Sequence, residues 1–381
     1  MADTARLPDA SQWGLDPRIA HLNHGSFGAT PRSVLAAQQA LRDALEFNPV
    51  EFLLYQLPER LAEVRGRVAA FLGADEDGLV FVDNATTGMQ TVVAQTRLRA
   101  GDEMVATDHG YPAVLHQLRQ VADASGASLR VVPVPLPPGD ADAITAAVLA
   151  AVTSRTRLVV VDHVASCSGL VFPVEQIAAE CRRAGVPVLV DGAHAPGMLP
   201  VGLDRLGADY WVGNLHKWVC APKASAALYA APHRRESLRP LVTSHRTADG
   251  YRPAFDWTGT RDPTALLAVP HALDFFESAG WAAMRAHNNA LAAEGAALVA
   301  DRIGTRPPQV PGELAGSMRL VPLPAPLSEA DARALERDLL VAHRVVVPVT
   351  RHGGYRWLRV SAQLYNSLAD YERLATALAP G

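Results

Sequence analysis

Seven short apolar runs lie between residues 79 and 230, and each is close to continuous where a half-exposed strand would alternate. They are LVFV (79–82), EMVAT (103–107), LRVVPV (129–134), RLVVV (157–161), VPVLV (186–190), ADYWV (208–212) and SAALYA (225–230). A strand apolar on both sides has to be covered on both sides. Amphipathic stretches of helical length separate the runs, VEQIAAECRRAG (174–185) with its closing glycine among them. This alternation predicts a mostly parallel sheet in an α/β unit. After about residue 263 the pattern changes, with helical segments at 264–277 and 280–303 and a Pro-rich loop at 305–316. Strands near 317–322, 344–348 and 355–360 and helices near 328–342 and 367–379 then form a smaller α+β unit. The expected division is a large unit over 20–263 and a small C-terminal one over 264–381, with residues 1–19 unassigned.

Composition narrows the partners. A net charge of −4 gives no reason to expect nucleic acid or an anionic membrane. No apolar run approaches the roughly 20 residues that a membrane span requires, and the N-terminus lacks the layout of a signal peptide. Cys167, Cys181 and Cys220 show no paired spacing and read as free thiols of a cytoplasmic protein.

Parallel sheets bind ligands beyond the carboxyl ends of their strands. DNATTG follows the first run, and Thr86 and Thr87, ahead of a helix expected to start near Gly88, would make a phosphate cradle there. The same residues also serve as ordinary helix caps. DHGYPA supplies His109 and Tyr111, DHVASCSG supplies His163 and Ser166, DGAHAPG supplies Asp191 and His194, and GNLHKW supplies Asn214, His216 and Lys217. Of 35 lysine-plus-arginine residues only Lys217 and Lys223 are lysine. A guanidinium cannot attack a carbonyl, whereas an amine can. A metal site is one reading of this set, but no H-x-H or H-x-x-x-H pair occurs and a central lysine would repel a divalent ion. Pyridoxal phosphate fits better, because it needs a lysine, a carboxylate for its ring nitrogen, an aromatic lid and a phosphate cradle.

VDGAH followed by GNLHKW resembles the class V aminotransferase superfamily of fold-type I pyridoxal-phosphate enzymes. HLNHGSFGATP (21–31), VDHVASCSGLVFPVE (161–175), HKWVCAPKA (216–224), WTGTRDP (257–263) and LRVSAQLYN (358–366) are similar to its isopenicillin N epimerase-like branch. The resemblance implies that Lys217 carries the cofactor, that Asp191 faces the ring nitrogen and that His194 lies near the phenolate oxygen. It makes His109 or Tyr111 the stacking ring and places Thr86, Thr87, Asn214 and His216 on the phosphate side. Ser166 stands where the desulfurases carry an Asn, and Lys223 falls in a structural turn. Thr260 would reach the phosphate of a neighbouring subunit, which implies a homodimer, and Arg359 would grip the carboxylate of an amino-acid substrate. Arg356, three residues earlier on the same expected strand, should point to the opposite face.

The activity so implied is removal of the Cα proton of an amino acid, ending in epimerisation or in β-elimination from an S-substituted cysteine, with transamination as the alternative. Cysteine desulfuration is disfavoured because 344–359, where that chemistry places a mobile thiol, contains no cysteine. Epimerisation needs an acid opposite Lys217, for which His24, Tyr55 and Tyr111 are candidates. A metal-dependent hydrolase and a non-catalytic pyridoxal-phosphate sensor are the rivals from other classes.

Overall fold

The computed structural model describes residues 7–379. Its main sheet has seven strands: β1 (Leu79–Val82), β2 (Glu103–Thr107), β3 (Ser128–Val132), β4 (Thr156–Asp162), β5 (Val188–Asp191), β6 (Tyr210–Asn214) and β7 (Ala226–Ala230). Their order is β1-β7-β6-β5-β4-β2-β3, and β7 alone runs against the rest. Strand β3 stops before Pro133, which has no N–H for the ladder.

The near-continuous apolar runs are explained by two cores. Leu79, Phe81, Val105, Val159, Val161, Val188, Val190 and Trp211 enter one hydrophobic cluster, with the helices Leu57–Leu72 and Val174–Arg183. Val80, Val82, Met104, Ala106, Leu158, Val160, Leu189 and Val212 enter another, with the helices Ala85–Val93 and Pro112–Ser125. Alternate residues of each strand therefore bury on opposite faces, and the sheet is the middle of three layers.

The C-terminal part holds a three-stranded antiparallel sheet of β8 (Met318–Pro322), β9 (Val349–His352) and β10 (Tyr355–Ser361), ordered β9-β10-β8. The run expected at 344–348 is not one strand. Pro348 interrupts it, and only Val345–Val346 pairs, in parallel, with Ala20–His21. Ala20 and Leu22 accordingly bury in the C-terminal cluster with Val345, Leu358 and Tyr371. The helix expected over 264–277 is two pieces, Thr264–Leu267 and Val269–Glu277.

Two long C-terminal helices, Trp281–Arg302 and Leu368–Leu378, cross at Gly295. A Cβ on Gly295 would lie 2.3 Å from Cδ1 of Tyr371, whose buried ring is held by its hydroxyl on the Ser361 carbonyl. Helix propensity favours alanine over glycine by about 1 kcal/mol, but overpacking a rigid ring costs about 1–3 kcal/mol. Gly295→Ala should therefore lower the free energy of unfolding in urea. A variant as stable as the parent would show that the crossing has slack.

Candidate active site

The carboxyl ends of β1, β4, β5 and β6 open on one cavity of about 370 Å³. Asn84, Thr86, Tyr111, Asp162, Ser166, Asp191, His194, Asn214, His216 and Lys217 line it, and Lys223, Ser26 and Phe27 complete the wall.

Lys217 lies just past β6, and its Nζ is 3.1 Å from Nε2 of His194. Burial, with the Arg359 guanidinium adding to it, pushes the amine down to about 8 against the pull of Asp191. Asp191 ends β5 and is buried, its Oδ1 accepting from the Ala193 N–H at 3.0 Å. Asp162 ends β4 in register with Asp191, so the two carboxyl groups face the same cavity. Burial and the neighbouring Asp191 raise the Asp162 carboxyl well above its usual range, and burial raises Asp191 too. Asp162 went unnoticed in the sequence, although both strands end in Val-Asp and that shared ending was the signal.

The helix expected near Gly88 starts at Ala85 because Asn84 caps it, accepting the Thr87 N–H at 2.9 Å. Asn214 accepts the Ala85 N–H at 2.8 Å. Thr87 turns its hydroxyl back to Asn84 and does not line the cavity, so Thr86 is the threonine presented there. His216 lines the cavity and shares a hydrogen bond with the Ser225 carbonyl at 3.2 Å. Lys223 donates to the Gly28 carbonyl at 3.3 Å, in keeping with its expected place in a turn.

Four further residues expected at the site sit elsewhere. His109 is fully buried behind the wall, with Nδ1 2.8 Å from Ser168 Oγ and Nε2 2.9 Å from the Val134 carbonyl. Its ring packs against His352 and Phe172, and of the two expected stacking rings Tyr111 is the one on the cavity. His24 is likewise held on both nitrogens, by Tyr365 Oη at 2.8 Å and the Lys217 carbonyl at 3.0 Å, and does not line the cavity. Tyr55 is largely exposed and away from the cavity. Tyr111 alone among the three proposed acids reaches it. Thr260 is exposed and contributes nothing to this chain's own cavity, while the adjacent Arg261 pairs with Asp83 on the rim at 2.7 Å.

Arg359 is buried one layer behind the wall, and its Nη1 donates to the Ser166 carbonyl and, at 3.3 Å, to Ser166 Oγ. Nη2 donates to Asn23 Oδ1 and Ser26 Oγ, both at 3.0 Å, and Nε has no partner among the described residues. All these acceptors are neutral, and burial pushes the guanidinium down to about 10. Gly25 leaves the space between this group and His194 open: a Cβ there would lie 3.6 Å from Arg359 Nη2 and from His194 Cε1, and 2.6 Å from Met318 Sδ. Arg356 points away, as β-strand parity requires, and pairs with Glu329 at 2.6 Å. Cys167 is a half-buried thiol pushed up to about 12, and its Sγ lies 3.5 Å from the His109 carbonyl.

The donor set suits pyridoxal phosphate: an amine poised to lose its proton, a buried acid on the neighbouring strand, a helix N-terminus with Thr86, and an aromatic ring. Comparison with known proteins agrees. The Aminotransferase class-V family matches residues 29–374. The isopenicillin N epimerase of Streptomyces clavuligerus is 35% identical over 96% of this chain and 95% of its own length. The L-cysteine desulfhydrase of Arabidopsis thaliana is 31% identical over 94% of this chain and 87% of its own. A solved cystine C–S lyase in complex with its product, cysteine persulfide, superposes with a TM-score of 0.83 at 23% identity, over 96% of this chain and 99% of that one. Architecture, site geometry and full-length similarity converge, and the chain belongs to the class V aminotransferase family.

Proposed function

We propose that this protein is a pyridoxal 5'-phosphate enzyme that removes the Cα proton of an amino acid and eliminates a sulfur leaving group from its β-carbon. The observation that carries the reading is the meeting of Lys217 and Asp191, from neighbouring strand ends, in one cavity. Bound there, the cofactor supplies an aldehyde for amine condensation and a protonated ring that draws in the electrons of a broken Cα bond. Lys217 would hold it and is placed to take the Cα proton on Nζ. Asp191 would keep the ring nitrogen protonated, Thr86, Asn214 and His216 would hold the phosphate side, and Tyr111 would supply the covering ring. Arg359, a buried cation with only neutral partners, keeps its charge for the substrate carboxylate.

Elimination needs one base, which Lys217 supplies. Epimerisation needs an acid on the opposite face, and Tyr111 is the one candidate on the wall; that supports epimerisation as the second reading. A cytoplasmic homodimer belongs to the same proposal. Phe27, Phe47, Leu54 and Tyr55 are exposed, and Leu54 lines an apolar groove with Leu53, Leu57 and Trp257. The exposed Thr260 would then serve the neighbouring subunit's phosphate.

Incubation with S-substituted cysteines in heavy water tests the reaction. Pyruvate with a released thiol is the expected result, and inversion with solvent deuterium at Cα and no pyruvate would move the assignment to epimerisation. Lys217→Ala should lose the cofactor that borohydride fixes to the chain, whereas Lys223→Ala should keep it; fixation on Lys223 would reverse the two roles. Arg359→Lys should raise KM more than tenfold, about 1.4 kcal/mol, while the bound-cofactor colour persists. Arg356→Lys should change KM little, and the opposite ranking would place the substrate carboxylate elsewhere.

A further inference from the structure

His194 sits between two nitrogens. Its Nδ1 is 3.3 Å from the indole Nε1 of Trp218, and its Nε2 is 3.1 Å from Nζ of Lys217. An indole N–H donates and never accepts, so Nδ1 has to be the bare, accepting nitrogen. A neutral imidazole carries one proton, which is thereby placed on Nε2. That N–H points at Lys217, and the contact is a hydrogen bond only if Nζ offers its lone pair. The cationic form of His194 would set its Nδ1–H against the indole N–H. The reverse pairing, a lysine ammonium donating to a bare Nε2, would require the proton on Nδ1 and meets the same conflict.

We propose that Trp218 is a positioning residue that fixes the His194 tautomer, and through it keeps Lys217 as the neutral amine that captures the cofactor. The proposal rests on the cofactor reading above. Trp218 itself is buried and does not line the cavity, so its influence passes through His194. Its ring is held against His24, at 4.8 Å between centroids, and His24 in turn grips the Lys217 carbonyl. The indole is thus fixed from the side of the very residue it serves. Capture is a condensation: the Nζ lone pair bonds to the aldehyde carbon, and two amine hydrogens leave with the carbonyl oxygen as one water. Only the unprotonated amine can begin it. Burial and Arg359, which push Lys217 down to about 8, act in the same direction as the tautomer.

Replacing Trp218 by phenylalanine removes the donor but keeps an aromatic ring. His194 is then free to carry its proton on Nδ1 and to accept from a lysine ammonium through Nε2. The charged lysine gains about one hydrogen bond, which raises its pKa by about one unit. Two measurements test this. First, nitrogen NMR of wild-type apo-protein containing ¹⁵N-histidine, with the His194 signals identified by their loss in His194→Gln, should show Nε2 protonated and Nδ1 bare. A proton on Nδ1 overturns the proposal, and this arm needs no Trp218 variant to fold. Second, the rate of pyridoxal phosphate capture by apo-protein, trapped with borohydride and counted on the Lys217 peptide, should rise with pH. The midpoint should lie about one unit higher in Trp218→Phe, with equal capture at the alkaline end. An unchanged midpoint overturns the proposal. Failure of the wild-type chain to capture the cofactor at any pH would instead sink the cofactor reading, and the NMR arm would still decide the tautomer.

Discussion

Placing the half-buried Lys217 amine within reach of a buried cation, Arg359, sets the terms for the groups around both. Two like charges out of water repel strongly, and the amine is the one that can shed its proton. Asp191 opposes that loss only in part, because it is itself raised by burial and stands beside Asp162. The arginine is tethered by a carbonyl, a carboxamide and two hydroxyls. A carboxylate in their place would neutralise it before any substrate arrived. The site thus keeps one amine ready to react and one full positive charge ready to orient.

Much of this arrangement was legible because it follows from strand direction and strand parity. Asp191 closing one apolar run and Lys217 just past the next mark the carboxyl edge of the parallel sheet, whereas the matching Asp162 was not read from the sequence. Arg356 and Arg359 could be told apart by counting, since three residues along a strand changes the face. What counting could not reveal was which polar neighbour would claim each histidine. His109 lies in a strand-end segment like His194, yet Ser168 and the Val134 carbonyl hold it behind the wall. His24 belongs to the HLNHGSFGATP segment but is taken up by Tyr365, which lies 341 residues away in sequence. Such choices depend on distances that only the folded chain defines.

The threonines show the same limit at shorter range. An Asn-Ala-Thr-Thr-Gly segment is compatible with a helix opening at either end of it. Asn84 wins the cap, the helix begins one residue later, and the two threonines part company, one toward the cavity and one toward the cap. A shift of three residues in a helix start decides which hydroxyl an anion could meet.

The segment 20–28 is stitched into the protein at points far along the chain. Ala20–His21 pairs with Val345–Val346, the Leu22 carbonyl accepts from Ser361, and Asn23 meets Arg359 across 336 residues of sequence. The same segment then runs along the cavity, where a Cβ on Gly28 would lie 2.0 Å from the His216 carbonyl. During synthesis the chain emerges from its N-terminus, so these residues reach the solvent long before their partners exist. The pairings that hold them against the cavity have to wait until the last strand has left the ribosome. In this protein the part of the active site that is written first is built last.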